Sequence, residues 1–161
     1  MERISNERAL VELRTILHHD GARAALIFLN GLTRHRYSAL YRFEGETLRN
    51  LFFYDRDNPK IEEVEEIPVN ASYCVFVRDS GDVFHTSDAL RDERVREHPK
   101  REQIRAYCGV PVLDRAGKLF GSICHFDAAP TVILDADVAL MEAAGRLLQE
   151  EGSEQLRPLP A

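Results

Sequence analysis

Residues Ile104–Asp127, IRAYCGVPVLDRAGKLFGSICHFD, decide the fold that the sequence predicts. Two apolar runs flank a turn at Asp114–Gly117, where glycine can adopt the positive φ that a tight turn requires. Small and apolar residues share one face of the first run, namely Ala106, Cys108, Val110 and Val112. Strands that are apolar at nearly every position are usually covered on both faces, so this hairpin is expected at the centre of a sheet. Pro111 cannot donate a ladder hydrogen bond, which predicts an unpaired or bulged position there.

The composition fits one domain with a substantial core. The chain has 161 residues, of which 44% are hydrophobic and 30% charged, a length typical of a single domain. Its net charge of −6 argues against a nucleic-acid partner, because nucleic-acid binding surfaces are basic. No apolar run approaches the roughly 20 residues that cross a bilayer, and the charged N-terminal sequence is unlike a secretory signal. We therefore expect a cytoplasmic protein without a membrane partner.

The other predicted elements are, in chain order, helices over residues 5–20 and 22–33, strands over 37–43 and 47–54, a helix over 73–79, a strand over 83–86 and a last helix from Leu134. Residues 61–67 fit either a short strand or a helical turn, and residues 87–105 form a long polar connection of the kind that is often functional. Helices at both ends of an antiparallel sheet predict an α+β fold. The expected division is an N-terminal helix (1–20), a domain (21–150) and a disordered tail (151–161).

Three segments resemble the GAF domain, a small-molecule-sensing module related to PAS domains. They are RYSALYRFEGETLRNLFFYD (36–55), SYCVFVRDSGDVFHTSDALRD (72–92) and AYCGVPVLDRAGKLFGSICHFD (106–127). The resemblance implies a sheet with the terminal helices on one face and a ligand pocket on the other, roofed by residues 73–77 and 87–105. It also implies a homodimer through the terminal helices, with a signalling protein as a further partner.

Polar and aromatic side chains lie where this resemblance implies a pocket. The candidate ligand-binding residues are Tyr73, Cys74, Asp88, Arg94, His98, Lys100, Tyr107, His125 and Asp127. Arg94 or Lys100 would suit a carboxylate or phosphate, although the charges of residues 91–103 also fit a solvated loop with local ion pairs. His125 and Asp127 share one strand face, either for a polar ligand group or for a structural hydrogen bond.

The resemblance implies a stand-alone sensor or regulatory subunit that binds an unidentified small molecule without catalysis. The sequence leaves the identity of any cofactor unknown. No metal site is expected, because the adjacent histidines His18 and His19 point about 100° apart on a helix. One alternative is a dimerisation or interaction module that binds no ligand.

A second alternative is an enzyme. The cysteines, Cys74, Cys108 and Cys124, form no CxxC pair and are odd in number, which is typical of buried free thiols. However, IPVNASYC (67–74) resembles the segment before one cysteine of the free methionine-R-sulfoxide reductases, a thiol-dependent GAF subfamily. That likeness implies catalytic roles for Cys74, Cys108 and Asp127. The sequence departs from the subfamily in having no cysteine between Ser87 and Tyr107, where its catalytic one lies.

Overall fold

The computed structural model describes residues 3–151. Its helices and strands are, in chain order, α1 (Asn6–Asp20), α2 (Ala22–Asn30), β1 (Tyr37–Glu44), β2 (Thr47–Asp55), β3 (Ile67–Pro68), α3 (Cys74–Ser80), β4 (Phe84–Thr86), β5 (Ala106–Leu113), β6 (Leu119–Asp127) and α4 (Asp135–Glu151). All strands form one antiparallel sheet in the order β3-β2-β1-β6-β5-β4. The tail from residue 152 onward, predicted to be disordered, lies outside the described residues.

The predicted central hairpin is confirmed, because β6 pairs with β1 on one side and with β5 on the other. Gly117 has a φ of 82° in the turn, and the Asp114 carboxylate accepts the Lys118 N–H at 2.9 Å. β4 pairs only with Tyr107–Gly109 of β5. The outer edge of β5 therefore has no neighbouring strand at Pro111, the residue that has no N–H to donate. The register shift lies between Val112 and Leu113, one residue beyond the predicted bulge.

Helices α1, α2 and α4 cover one face of the sheet, which we call the helix face. The buried residues of this layer include Leu13, Leu17, Leu26, Leu29, Leu40, Cys108, Val110, Val112, Ile123, Leu140, Met141 and Leu148. α1 begins where Ser5 accepts the Arg8 N–H at 3.2 Å, and it ends at Gly21 with a φ of 92°. These leucines recur at the helical spacing that predicted the terminal helices.

A second apolar layer covers the opposite face, which we call the cavity face. Its buried residues are Ala39, Tyr41, Leu48, Phe53, Val69, Tyr73, Cys74, Val77, Phe84, Ala89, Val95, Tyr107 and Cys124. They come from the sheet, from α3 and from residues 87–105, which we call the lid. Both faces of the sheet are therefore covered, as the apolar central strands predicted.

Two element boundaries differ from the prediction. α2 ends at Asn30 rather than at residue 33, because the Asn30 amide donates to the carbonyls of His35 and Arg36, both at 3.3 Å, and holds the chain in a turn. The ambiguous residues 61–67 contribute only Ile67 to a two-residue strand, which pairs with β2.

The lid contains two short 3₁₀ turns, Ala89–Arg91 and Glu93–Val95. An aspartate begins each turn: Asp88 accepts the Leu90 N–H at 3.2 Å, and Asp92 accepts the Arg94 N–H at 3.0 Å. Local capping by aspartate thus orders a segment whose sequence has no strand or long helix pattern. None of the described helices combines the length and the apolar character needed to cross a membrane.

Candidate functional site

A cavity of about 360 Å³ lies on the cavity face, between the sheet, the entry to α3 and the C-terminal part of the lid. Its lining residues are Tyr41, Ile67, Ala71, Ser72, Tyr73, Lys100, Gln103, Ile104, Tyr107, Cys124 and Phe126. The volume falls within the range typical of small-molecule sites. Of the predicted ligand-binding residues, Tyr73, Lys100 and Tyr107 line this cavity.

The interior of the cavity is aromatic and uncharged. Burial raises the pKa of Tyr73 to about 12, and it also raises the pKa values of Tyr41 and Tyr107 well above that of a free tyrosine. The Tyr73 hydroxyl donates to the Ile104 carbonyl at 2.8 Å. Among the lining residues within 3–151 there is no carboxylate, and Lys100 is the charged one.

Cys74 lies behind the cavity wall in a buried cluster of hydroxyl and thiol groups. Its sulfur lies 3.2 Å from the Tyr107 hydroxyl, and it accepts the Ser122 hydroxyl at 3.2 Å. Burial raises the pKa of Cys74, but hydrogen bonds from Cys124, Ser122, Ser72 and Tyr107 outweigh burial and lower it. Burial and the adjacent Cys74 raise the pKa of Cys124. The Cys74 thiol is thus the more acidic of the two.

Three predicted residues of the roof lie outside the cavity. The Arg94 guanidinium pairs with Asp92 at 2.6 Å and lies 4.7 Å above the Phe84 ring. Asp88 pairs with Arg105 at 2.8 Å. The His98 ring packs against Tyr73, with 4.5 Å between ring centroids, and it faces an open groove on the outer side of α3. The His98 ring contacts the cavity wall through Tyr73, and the Arg94 guanidinium does so through Phe84, whose ring centroid lies 6.2 Å from that of Tyr107.

His125 and Asp127 lie on the helix face. The alternation of β6 that directs Cys124 and Phe126 into the cavity directs these two side chains away from it. His125 is hydrogen-bonded to Ser38 and stacks on His35, with 6.0 Å between ring centroids. The Asp127 carboxylate accepts the Arg36 N–H at 2.9 Å. Both side chains therefore make structural hydrogen bonds, which was the alternative to binding a polar group of the ligand.

Cys108 also lies on the helix face, where burial raises its pKa to about 12. The structure therefore separates Cys74 from Cys108, the pair expected to cooperate in the enzyme alternative. The thiol that contacts Cys74 is that of Cys124. Within residues 3–151, no three His, Cys, Asp or Glu side chains are grouped so that they could hold a metal ion.

Sequence reasoning missed most of the apolar lining, including Tyr41, Ile67, Ile104 and Phe126. Strand alternation carried a usable signal for Phe126, since it is two residues from Cys124. Ile67 and Ile104 lie in irregular segments whose position depends on the folded chain, so no local pattern marked them.

Comparisons with known proteins agree with this architecture. The sequence profile of the GAF domain matches residues 7–150. A cyclic di-GMP phosphodiesterase of Pseudomonas aeruginosa is 31% identical over 90 residues, which are 53% of this chain, while the match spans only 15% of that protein's length.

Two solved structures show the same fold. The GAF domain of an Acinetobacter phosphoenolpyruvate-protein phosphotransferase superposes with a TM-score of 0.73 at 13% identity, covering 98% of this chain and 100% of that one. The free methionine-R-sulfoxide reductase of Neisseria meningitidis, solved with its substrate, superposes with a TM-score of 0.72 at 14% identity, covering 94% and 92%. Because the family profile matches most of the length of this chain, the chain belongs to the GAF domain family.

Proposed function

We propose that this domain is a non-catalytic sensor that binds a small molecule in the cavity and regulates a signalling process in the cytoplasm. The observation that carries the proposal is the cavity of about 360 Å³, with an apolar interior and a polar lid above it. The GAF family match supports a sensory role. So does the Pseudomonas relative, whose name places a related segment inside a signalling enzyme.

Strand β5 offers a route from the cavity to the terminal helices. Tyr107 contributes its ring to the cavity wall, while the backbone of Pro111 on the same strand contacts α4 at Gly145. A Cβ on Gly145 would lie 3.0 Å from the Pro111 carbonyl oxygen, so strand and helix are in close contact. A ligand that favours one position of β5 would therefore favour one position of α4.

A thermal-shift screen of a metabolite library tests the proposal. A ligand is expected to raise the melting temperature of the native chain but not that of Ala71→Phe, because the phenyl group would occupy the cavity. Asn70→Phe is the matched control, since Asn70 lines the outer groove and not the cavity. The sensor proposal fails if no compound stabilises the native chain, or if Ala71→Phe responds equally.

We also propose that the domain forms a homodimer through α1 and α4. The outer surface of these helices carries Leu10, Val11 and Ala143, and Val11 is 68% exposed. Light scattering after size-exclusion chromatography should give the dimer mass for the native chain and the monomer mass for Val11→Glu. A native monomer at micromolar concentration would contradict this assembly.

A second candidate is thiol-dependent reduction of free methionine-R-sulfoxide, the activity stated in the name of the Neisseria structure. The buried hydrogen bonds that lower the pKa of Cys74 favour it. In such a reaction two thiols lose two electrons and form a disulfide, the sulfoxide becomes a thioether, and its oxygen leaves as water. Turnover with a dithiol reductant, lost in Cys74→Ser and kept in Cys108→Ser, would establish this candidate.

A further inference from the structure

The ends of the cavity differ in polarity. The interior is formed by the rings of Tyr41, Tyr73, Tyr107 and Phe126, whereas the polar lining residues are Ser72, Lys100 and Gln103. Gln103 is exposed and Lys100 is half-buried, so these two mark the mouth. A ligand that matches this arrangement is apolar along most of its length and polar at one end.

Two hydroxyl groups of the interior already have partners. Tyr73 donates to the Ile104 carbonyl, and Tyr107 contacts the Cys74 sulfur. A ligand that carried a charge into this region would lose its hydration without a matching partner, which is costly. Ring-to-ring packing is the favourable interaction that these walls offer.

Lys100 differs from the four arginines of the lid that form ion pairs. The lid's ion pairs are Arg91–Asp88, Arg94–Asp92, Arg96–Glu93 and Arg105–Asp88. Over residues 3–151, Lys100 has no carboxylate within ion-pair distance. The adjacent Arg101 donates to the Leu90 carbonyl at 3.4 Å and does not line the cavity. Lys100 is thus a cation that faces the cavity and has no carboxylate partner within the described part of the chain.

We infer that the cavity binds a small aromatic acid with a single negative charge, its ring among the tyrosines and its carboxylate on the Lys100 ammonium at the mouth. This inference rests on the proposed sensor function and names its ligand class. One ammonium group matches one carboxylate, whereas a second anionic group would enter the cavity without a counter-charge. Multiply charged phosphate compounds are therefore disfavoured.

Calorimetric titration of the full chain with phenylacetate and 3-phenylpropionate, beside their neutral amides, tests the inference. Each acid should bind about tenfold or more tightly than its amide, the ratio expected for one hydrogen bond to a charged group. Lys100→Met keeps an apolar side chain of similar length without the charge, so it should bind acid and amide equally. Lys60→Met, in the exposed loop after β2, should retain the native preference.

The outcomes separate this inference from the sensor function. Equal binding of acid and amide by the native chain, blocked by Ala71→Phe, would overturn the ligand class and leave the sensor function intact. An acid preference that persists in Lys100→Met would overturn the assignment of Lys100. If neither the acids nor the amides bind, the ligand class is wrong, and the sensor function then depends on the library screen alone.

Discussion

Tyr107 occupies its place in the cavity wall because the residue two positions along β5 is glycine. A Cβ on Gly109 would lie 2.1 Å from the Tyr107 hydroxyl oxygen and 2.6 Å from the adjacent ring carbon. The ring thus lies along its own strand and reaches Cys74 only because Gly109 has no side chain.

Gly109→Ala is therefore expected to lower the free energy of unfolding by about 1–3 kcal/mol, the usual cost of overpacking a core. Urea denaturation measures this change. If the clash with the Tyr107 ring is the cause, adding Gly109→Ala to a Tyr107→Ala background should cost much less than adding it to the native chain. Equal costs in both backgrounds would show that the glycine is needed for another reason.

Two buried histidines make stability depend on pH. Burial lowers the pKa of His35 to about 4 and the pKa of His125 to about 3, whereas an unfolded histidine titrates near 6.5. Below about pH 6.5 the unfolded chain binds more protons at these sites, so stability is lost as the pH falls from 6.5 toward the folded pKa values. Asp127 and Asp137 on the helix side favour protonation of His35, while Arg56 opposes it.

Urea denaturation at about pH 7.5 and about pH 5 should show a loss of roughly 2 kcal/mol for each of these histidines. His125→Gln should reduce this pH dependence, because glutamine does not titrate. His19→Gln, at an exposed position of α1, should leave it unchanged. The same unfolding free energy at both pH values would rule out buried neutral histidines.

Among the elements, the lid is the one held mainly by side chains and turns. Its two ends meet where the Ala89 N–H donates to the Arg105 carbonyl at 2.7 Å. The Arg105 guanidinium donates to Asp88 at 2.8 and 3.0 Å, and both side chains are largely shielded from solvent. This pair closes the loop over the cavity.

Arg105→Met should loosen the lid without unfolding the domain. Hydrogen exchange of amides in residues 88–104 is expected to accelerate. Exchange in β1, β5 and β6 should stay slow, because these strands are held by backbone hydrogen bonds to each other and not by the lid. Arg96→Met is the matched control, since the Arg96–Glu93 pair is exposed and its atoms are 3.7 Å apart. Unchanged exchange in the lid would mean that the backbone contacts suffice to close it.

Across the whole molecule, the sheet separates two apolar layers with different roles. The helix face contains tightly buried aliphatic residues such as Leu17, which is 1% exposed. The cavity face contains aromatic residues and the open volume. Substitutions on the helix face that lie away from the contact between β5 and α4 should therefore change stability with little effect on the cavity.

Leu17→Ala is expected to lower the free energy of unfolding by about 2–5 kcal/mol, as for other buried leucines. The dissociation constant of the tightest-binding acid should stay within about twofold of the native value, since distant sites behave independently. Val132→Ala, at an exposed position between β6 and α4, should change stability by less than about 0.5 kcal/mol. A large loss of affinity in Leu17→Ala would show that the two layers are also coupled outside the contact between β5 and α4.

The sequence alone determined the order of elements and the central hairpin, because these depend on local periodicity and turn residues. The GAF fold was indicated by the resemblance of three segments to that family. That resemblance also assigned Tyr73, Lys100 and Tyr107 to the region that forms the cavity. The alternation of side chains along β6 correctly placed Cys124 and His125 on opposite faces of the sheet. It did not determine which of the two faces the helices cover.

Only the tertiary structure decided which polar residues face the cavity. Arg94 and Lys100 were equivalent as candidate cations in the sequence. In the folded chain Asp92 and the Phe84 ring hold Arg94 outside, while Lys100 lines the cavity. The physical reason is that a side chain's partners in an irregular segment come from residues distant in sequence. A local pattern specifies the strand or helix, but burial and ion pairing are set by the whole fold.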